Sequence, residues 1–177
     1  NTTIEIPAGS LTASTTLRSL DDLIDDDAET IVVEISSVSG GDGATEDGDQ
    51  QETVTITDDE ATPAVTLATS ANSFTENAAN PAVTLTVSMT AAATSNTTIL
   101  LGVSGTATGG GVDYSIGSTT LVIPAGSTST TTTLSSNDDP YYDDGETIIV
   151  EISSVSGSTA AESGTQSETV TINDDEA

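Results

Sequence analysis

Residues 146–157 repeat residues 29–40 almost letter for letter, with eleven of twelve positions identical at an offset of 117. The same offset carries Ile6-Pro-Ala-Gly-Ser10 onto Ile123-Pro-Ala-Gly-Ser127. Residues 53–61 return as 169–177 at an offset of 116, so the second copy has lost one loop residue. Self-similarity at fixed spacing marks repeated structural units. Residues 62–177 therefore read as a complete repeat, and residues 1–61 as the C-terminal half of another. A half-repeat leaves one apolar sheet face and at least one strand edge uncovered. The strands that would cover it are absent after Ala177, so the expectation is a parent chain continuing upstream of Asn1.

Within the complete repeat, apolar residues alternate with polar ones at a period of two, the pattern of a half-buried strand. Strands are predicted near 64–70, 82–89, 97–104, 118–123, 128–135, 146–153 and 167–173. Asn80-Pro81, Gly109-Gly-Gly111, Pro124-Ala-Gly126, Asp138-Asp-Pro140 and Gly157 punctuate them as turns. No stretch has a useful helical period. Seven short strands of this kind predict an all-β, immunoglobulin-like antiparallel sandwich. The half-repeat should supply the last four.

Charge narrows the function. The chain has 29 acids and one base, Arg18, for a net charge of −28. Nucleic acid binding needs Lys and Arg to neutralise phosphates, so it is excluded. Docking on anionic lipid fails for the same reason, and no apolar run reaches the ~20 residues of a membrane-spanning helix. With no His and no Cys, the chain lacks the commonest general base, thiolate metal ligands and disulfides. A serine nucleophile would have no His or Lys base, which rules out triad catalysis. Paired carboxylates could serve glycoside hydrolysis, but three Tyr, one Phe and no Trp offer few sugar platforms. The chain is read as a non-enzyme.

The acids are clustered. Residues 135–153 and 18–36 each run from a loop crowded with carboxylates into an apolar strand, and the only base in the chain is Arg18, at the head of the second stretch. A multivalent cation is the simplest partner. An EF-hand register through Gly145 and Glu151 fails, because Pro140 and Tyr142 would occupy ligand positions. Gly40-Gly-Asp-Gly43 has one copy and Thr45 where an Asp is needed, so it reads as a flexible hairpin loop.

The ordered motifs Ser73-Phe-Thr-Glu-Asn77, Gly105-Thr-Ala-Thr-Gly-Gly-Gly-Val-Asp-Tyr114, Ile123-Pro-Ala-Gly-Ser127, Asn137-Asp-Asp…Asp143-Asp-Gly-Glu-Thr147 and Val170-Thr-Ile-Asn-Asp-Asp175 resemble the Calx-β repeat family. The resemblance spans 62–177 and, in the half-repeat, everything from the Ile-Pro-Ala-Gly-Ser element onward. It implies tandem seven-stranded sandwiches with Ca2+ clustered at one end. Carried onto this chain, the implied ligands are Glu76, Asp113, Asp138, Asp139, Asp143, Glu146, Asp174 and Asp175. In the half-repeat they are Asp21, Asp22, Asp26, Glu29, Asp58 and Asp59. One departure stands out: Tyr142 occupies the position of Asp25, so the ion count could differ between repeats.

Calcium takes six to eight oxygens at ~2.3–2.6 Å, and adjacent pairs such as Asp138-Asp139 and Asp174-Asp175 can bridge two ions. A solvated acidic surface is the plainer alternative. It is disfavoured because each acidic loop has an acidic partner at the end of a distant strand. Tyr141 and Tyr142 are expected to cover the loop, and Tyr114 to pack at its own. Asn1 and Asn96 head N-glycosylation sequons and 130–133 could carry O-glycans, although plain strand threonines are the favoured reading there.

The expected function is a calcium-binding structural repeat of an extracellular or cell-surface adhesin, matrix protein or filament. Its partners would be neighbouring repeats of the same chain, and other copies if a fibre forms. A regulatory calcium sensor is the alternative. Near-identity of the repeats favours spacing and reach.

Overall fold

The computed structural model describes residues 2–26, 29–76, 79, 81–142 and 145–176. The chain divides into two compact units, Asn1–Asp22 with Thr30–Ile56, and Leu23–Glu29 with Thr57–Ala177. All regular structure among the described residues is strand.

The second unit is the sandwich. Its strands are β1 (Ile24–Asp25), β4 (Ala64–Thr69), β5 (Ser73–Thr75), β6 (Ala82–Met89), β7 (Ala92–Ala93), β8 (Thr97–Gly105), β9 (Tyr114–Ile116), β10 (Thr120–Ile123), β11 (Ser129–Ser136), β12 (Glu146–Ser156), β13 (Ala161–Glu162) and β14 (Ser167–Asn173). One five-stranded sheet runs β10-β8-β12-β14-β5 and the other β13-β4-β6-β11-β9. Strict alternation sends Val65 and Leu67, Val83, Leu85 and Val87, Ile99 and Leu101, Ile148 and Val150, and Val170 and Ile172 into one shared core. The single Phe, Phe74, joins them at 7% exposure. Tyr114 is buried too, and burial followed by the charge of Asp113 raises its hydroxyl pKa.

The seven strands expected from alternation all form. Five more of two or three residues (β1, β5, β7, β9 and β13) do not announce themselves in a period of two. Three of the pairings are parallel: β1 with β7, β5 with β14, and β13 with β4.

The first unit departs from expectation. Instead of four strands it has two, β2 (Thr30–Glu34) and β3 (Gln51–Thr55), paired antiparallel from Thr30↔Thr55 to Glu34↔Gln51. Residues 2–22 form no strand. The matching residues of the second unit supply the reason. The counterparts of 1–6 and 11–18 are β10 and β11, which pair with β8 and β6, and residues 1–61 contain no counterpart of either. Apolar side chains are stranded accordingly: Ile6 is 56% exposed against 0% for Ile123, and Val33 48% against 0% for Val150. What survives is local. Ser10 N–H donates to Pro7 O just as Ser127 N–H donates to Pro124 O, each at 2.9 Å. Arg18, the one base, is exposed on this strandless stretch.

A second local motif recurs in both units. Gln166 N–H donates to Glu162 Oε1 (2.6 Å) and its side-chain amide to Ser163 O. Gln50 does the same with Glu46 Oε1 (2.8 Å) and Asp47 O. Thus the loop containing Gly40-Gly-Asp-Gly43 ends in an ordered Glu-x-x-x-Gln closure rather than in loose chain. In the sandwich, Gln166 Oε1 also accepts Leu67 N–H, tying the loop to β4. Gln166→Ala should therefore cost about 1–3 kcal/mol, since it strands a strand amide. Gln50→Ala should change little; urea unfolding of the two variants checks this.

Candidate metal centre

Strand register gathers the acids at one pole of the sandwich. β11 ends against the start of β9, with Ser136 opposite Tyr114, and Asn137 N–H donates to Asp113 O at 2.8 Å. β12 begins against the end of β14, with Glu146 opposite Ile172. The parallel ladder of β5 on β14 ends at Asn173↔Thr75, and Glu76 N–H donates to Asn173 O at 2.7 Å. Ser136, fully buried, shares its hydroxyl between the carbonyls of Thr75 and Pro81, each 3.4 Å away. Five acid-bearing chain segments from both sheets thus converge.

Their side chains are not equivalent. Carboxylate oxygens of Asp138, Asp175 and Glu176 lie within 4.8 Å of one another, close enough to share one cation whose oxygens sit at ~2.3–2.6 Å. Glu176 was not among the expected ligands. The signal was present in the Asp-Asp-Glu triplet, which occurs at both 58–60 and 174–176. Glu76 and Asp113 are buried at 3% and 5% exposure. Asp113 is engaged in its own loop: its carboxylate accepts Thr108 N–H while its N–H donates to Thr108 O. Asp139 Oδ1 accepts Tyr141 N–H at 2.8 Å, and Asp174 Oδ1 accepts Glu176 N–H at 3.1 Å. Glu146 is half-buried with one oxygen sealed from solvent. Asp143 lies outside the described residues. Tyr141 and Tyr142 are 72% and 68% exposed, so they do not cover the loop as expected.

In the half-repeat, Asp21 and Asp22 lie exposed on the strandless stretch of the first unit, whereas Asp26, Glu29, Asp58 and Asp59 belong to the second unit. Asp26 N–H donates to Asp58 Oδ2 at 3.2 Å, joining the loop to the acids before β4. Of the candidate glycosylation positions, Asn1 is outside the described residues. Asn96 is exposed, and its Oδ1 accepts Ala125 N–H at 3.0 Å.

The electrostatics follow from the crowding. A hydrogen bond shared with Asp174, then burial, then the charges of Asp175, Asp174 and Asp138 hold the Glu176 carboxyl above its ordinary pKa. Glu176 Oε2 is buried and accepts no hydrogen bond among the described residues. That is the state of an oxygen a cation would satisfy. The donor set is all oxygen, with no Cys or His in the chain, which suits a hard cation such as Ca2+ over a soft transition metal.

Comparison with known proteins agrees. The Calx-beta domain profile matches residues 58–176. The chain belongs to the Calx-beta family. Calx-beta domains are non-catalytic, calcium-binding domains. No curated protein sequence matches the chain. Among solved structures it is similar to CBD12 from CALX1.2, with TM-score 0.50, 17% identity, and coverage of 63% of this chain and 44% of that one. It is also similar to the apo-form Calx CBD1 domain (TM-score 0.49, 16% identity, 63% and 98% coverage). A two-domain protein of unknown function from Bacteroides fragilis NCTC 9343 follows (0.48, 15%, 65% and 46%). At these identities the likeness to CBD12 concerns the fold alone, and the Calx-beta sandwich is the fold described above.

Proposed function

We propose that this Calx-beta chain is a calcium-dependent structural module of an extracellular or cell-surface adhesin, matrix protein or filament, in which Ca2+ stiffens the junctions between repeats. The observation that carries this reading is the meeting of Asp138, Asp175 and Glu176 at one pole in a chain whose only base is Arg18. Asp138, Asp175 and Glu176 would hold the ion, with Asp139, Asp174, Glu146, Glu76, Asp113 and Asp143 as further donors. The bound ion supplies charge neutralisation. The residues' own part is to bring oxygens from β9, β11, β12 and β14 to one place and exclude basic competitors. Asp58 and Asp59, the counterparts of Asp174 and Asp175, stand just before β4, where a stiffened segment would set the spacing of successive repeats. Near-identical repeats support reach over sensing.

Melting and small-angle scattering in calcium and in chelator test it. An extracellular module should have a Kd of ~0.1–1 mM, and a sensor one in the micromolar range. At 10 mM calcium the gain should be about 1.4–2.7 kcal/mol per ion, or several degrees in Tm. Asp138→Asn should act in opposite directions in the two conditions. In chelator it relieves repulsion and leaves Tm unchanged or higher; in calcium it removes most of the gain. A chain whose Tm and length ignore calcium is not this module, and micromolar binding with a change of shape would favour the regulatory sensor.

A further inference from the structure

The acidic loop of the half-repeat does not fold with its own repeat. Leu23–Glu29 belong to the second unit, although the flanking residues belong to the first. Ile24 and Asp25 run as a parallel strand beside Ala92 and Ala93. Asp25 is 3% exposed, whereas Asp21, Asp22 and Glu29 around it are exposed. Its Oδ2 accepts the hydroxyl of Thr159, 134 residues away in sequence.

The surface that receives Asp25 is held in shape by the sandwich itself. Ser158 Oγ bonds Thr97 Oγ1 at 2.7 Å, and Ala160 N–H donates to Ser158 Oγ. Ser95 Oγ donates to Gly157 O at 2.7 Å, and Gly126 N–H donates to Ala93 O at 3.0 Å. The small side chains of Ala92 and Ala93 leave room for a neighbouring strand. This edge lies where β6 and β12 end and β8 and β11 begin. β11 runs from there to Ser136, so the acceptor edge and the cluster of Asp138, Asp175 and Glu176 occupy opposite poles of one sandwich.

We infer that Ala92–Ala93 and Thr159 form an acceptor edge for an extended Ile-Asp-type segment from the acidic loop of a neighbouring repeat. The edge acts without metal and gives an array of such repeats head-to-tail polarity. The complete repeat carries the matching donor position at its acidic pole: the counterparts of Ile24 and Asp25 are Tyr141 and Tyr142, which are exposed. Donor and acceptor on opposite poles make a heterologous contact, which propagates as a filament instead of closing on itself. The change from Asp25 to Tyr142 makes the contact selective. A donor with a carboxylate suits an acceptor with the Thr159 hydroxyl, and a tyrosine donor requires a different acceptor residue there.

Hydrogen exchange on the full chain in chelator, read by mass spectrometry, tests the edge. Segment 23–26 and the 91–94 edge should exchange at least about tenfold more slowly than residues 2–22. Thr159→Val should speed exchange in both segments by about fivefold, the share of one hydrogen bond, while β12 and β14 stay protected. Asp25→Ala combined with Thr159→Val should add nothing to either single change. If 23–26 exchanges as fast as 2–22, or Thr159→Val alters only 157–161, the edge is not an acceptor. Calcium-dependent melting of the same variants reads the opposite pole. Its loss in the unaltered chain would sink the calcium reading alone, and fast exchange in 23–26 the acceptor edge alone.

Discussion

Leu134→Ala should lower the stability of the sandwich by about 2–5 kcal/mol, whereas Leu17→Ala should change it by less than about 0.5 kcal/mol. The two leucines are counterparts at the repeat offset, each following a Thr-Thr pair. Leu134 is 0% exposed and Leu17 53%. Removing the Leu134 side chain leaves a cavity among Val83, Leu85 and their neighbours that a close-packed interior cannot fully collapse. Leu17 has no such surroundings to lose. Urea denaturation of the two variants, compared at equal slope, gives the difference directly. Equal losses would mean that residues 2–22 are packed as a sheet after all.

The second large effect is expected at Gly105. Its φ is +127°, and a Cβ built there would lie 2.1 Å from Thr147 O. That carbonyl already accepts the N–H groups of Thr106 (3.0 Å) and Ala107 (3.1 Å), which turn the chain out of β8. Alanine at 105 must therefore break the turn or push β12 off β8 at the register Ile148↔Gly105. The expected cost is about 3 kcal/mol or more, from backbone strain together with lost ladder bonds. Gly110→Ala is the control: that glycine also has positive φ but meets nothing within 4 Å, so its cost should stay near about 1 kcal/mol. Comparable losses at both sites would show that backbone conformation alone, without the close approach, sets the penalty.

Much of the sandwich was legible because alternation is a local signal. β4, β6, β8 and β12 each read apolar-polar over several residues and bury the apolar set. The short strands were not legible. β5 has only Phe74 to point inward, and β9 only Tyr114, so two or three residues give no period to read. Their pairing partners lie far along the chain. The half-repeat shows the complementary failure. Its alternation is as clear as that of the complete repeat, yet alternation states a willingness to pair, and β2 and β3 find each other while the counterparts of β10 and β11 find no partner. For the metal centre, residue type and rough position were readable, but which carboxylates meet was not. Asp113 turns to Thr108 N–H, within the glycine-rich loop, and Glu176 enters after β14, where its N–H donates to Asp174 Oδ1. The docking of Asp25 against Thr159 left no trace in either segment. Only the Tyr142 substitution hinted that this position does something different in the two repeats.

The lone arginine on the strandless stretch has a practical outcome. Proteases that require Lys or Arg find one scissile position in the whole chain, after Arg18, in a segment that can adopt an extended conformation in their clefts. Cleavage there would leave the entire sandwich uncut. A module made this way resists the commonest digestive specificity by lacking its substrate residue.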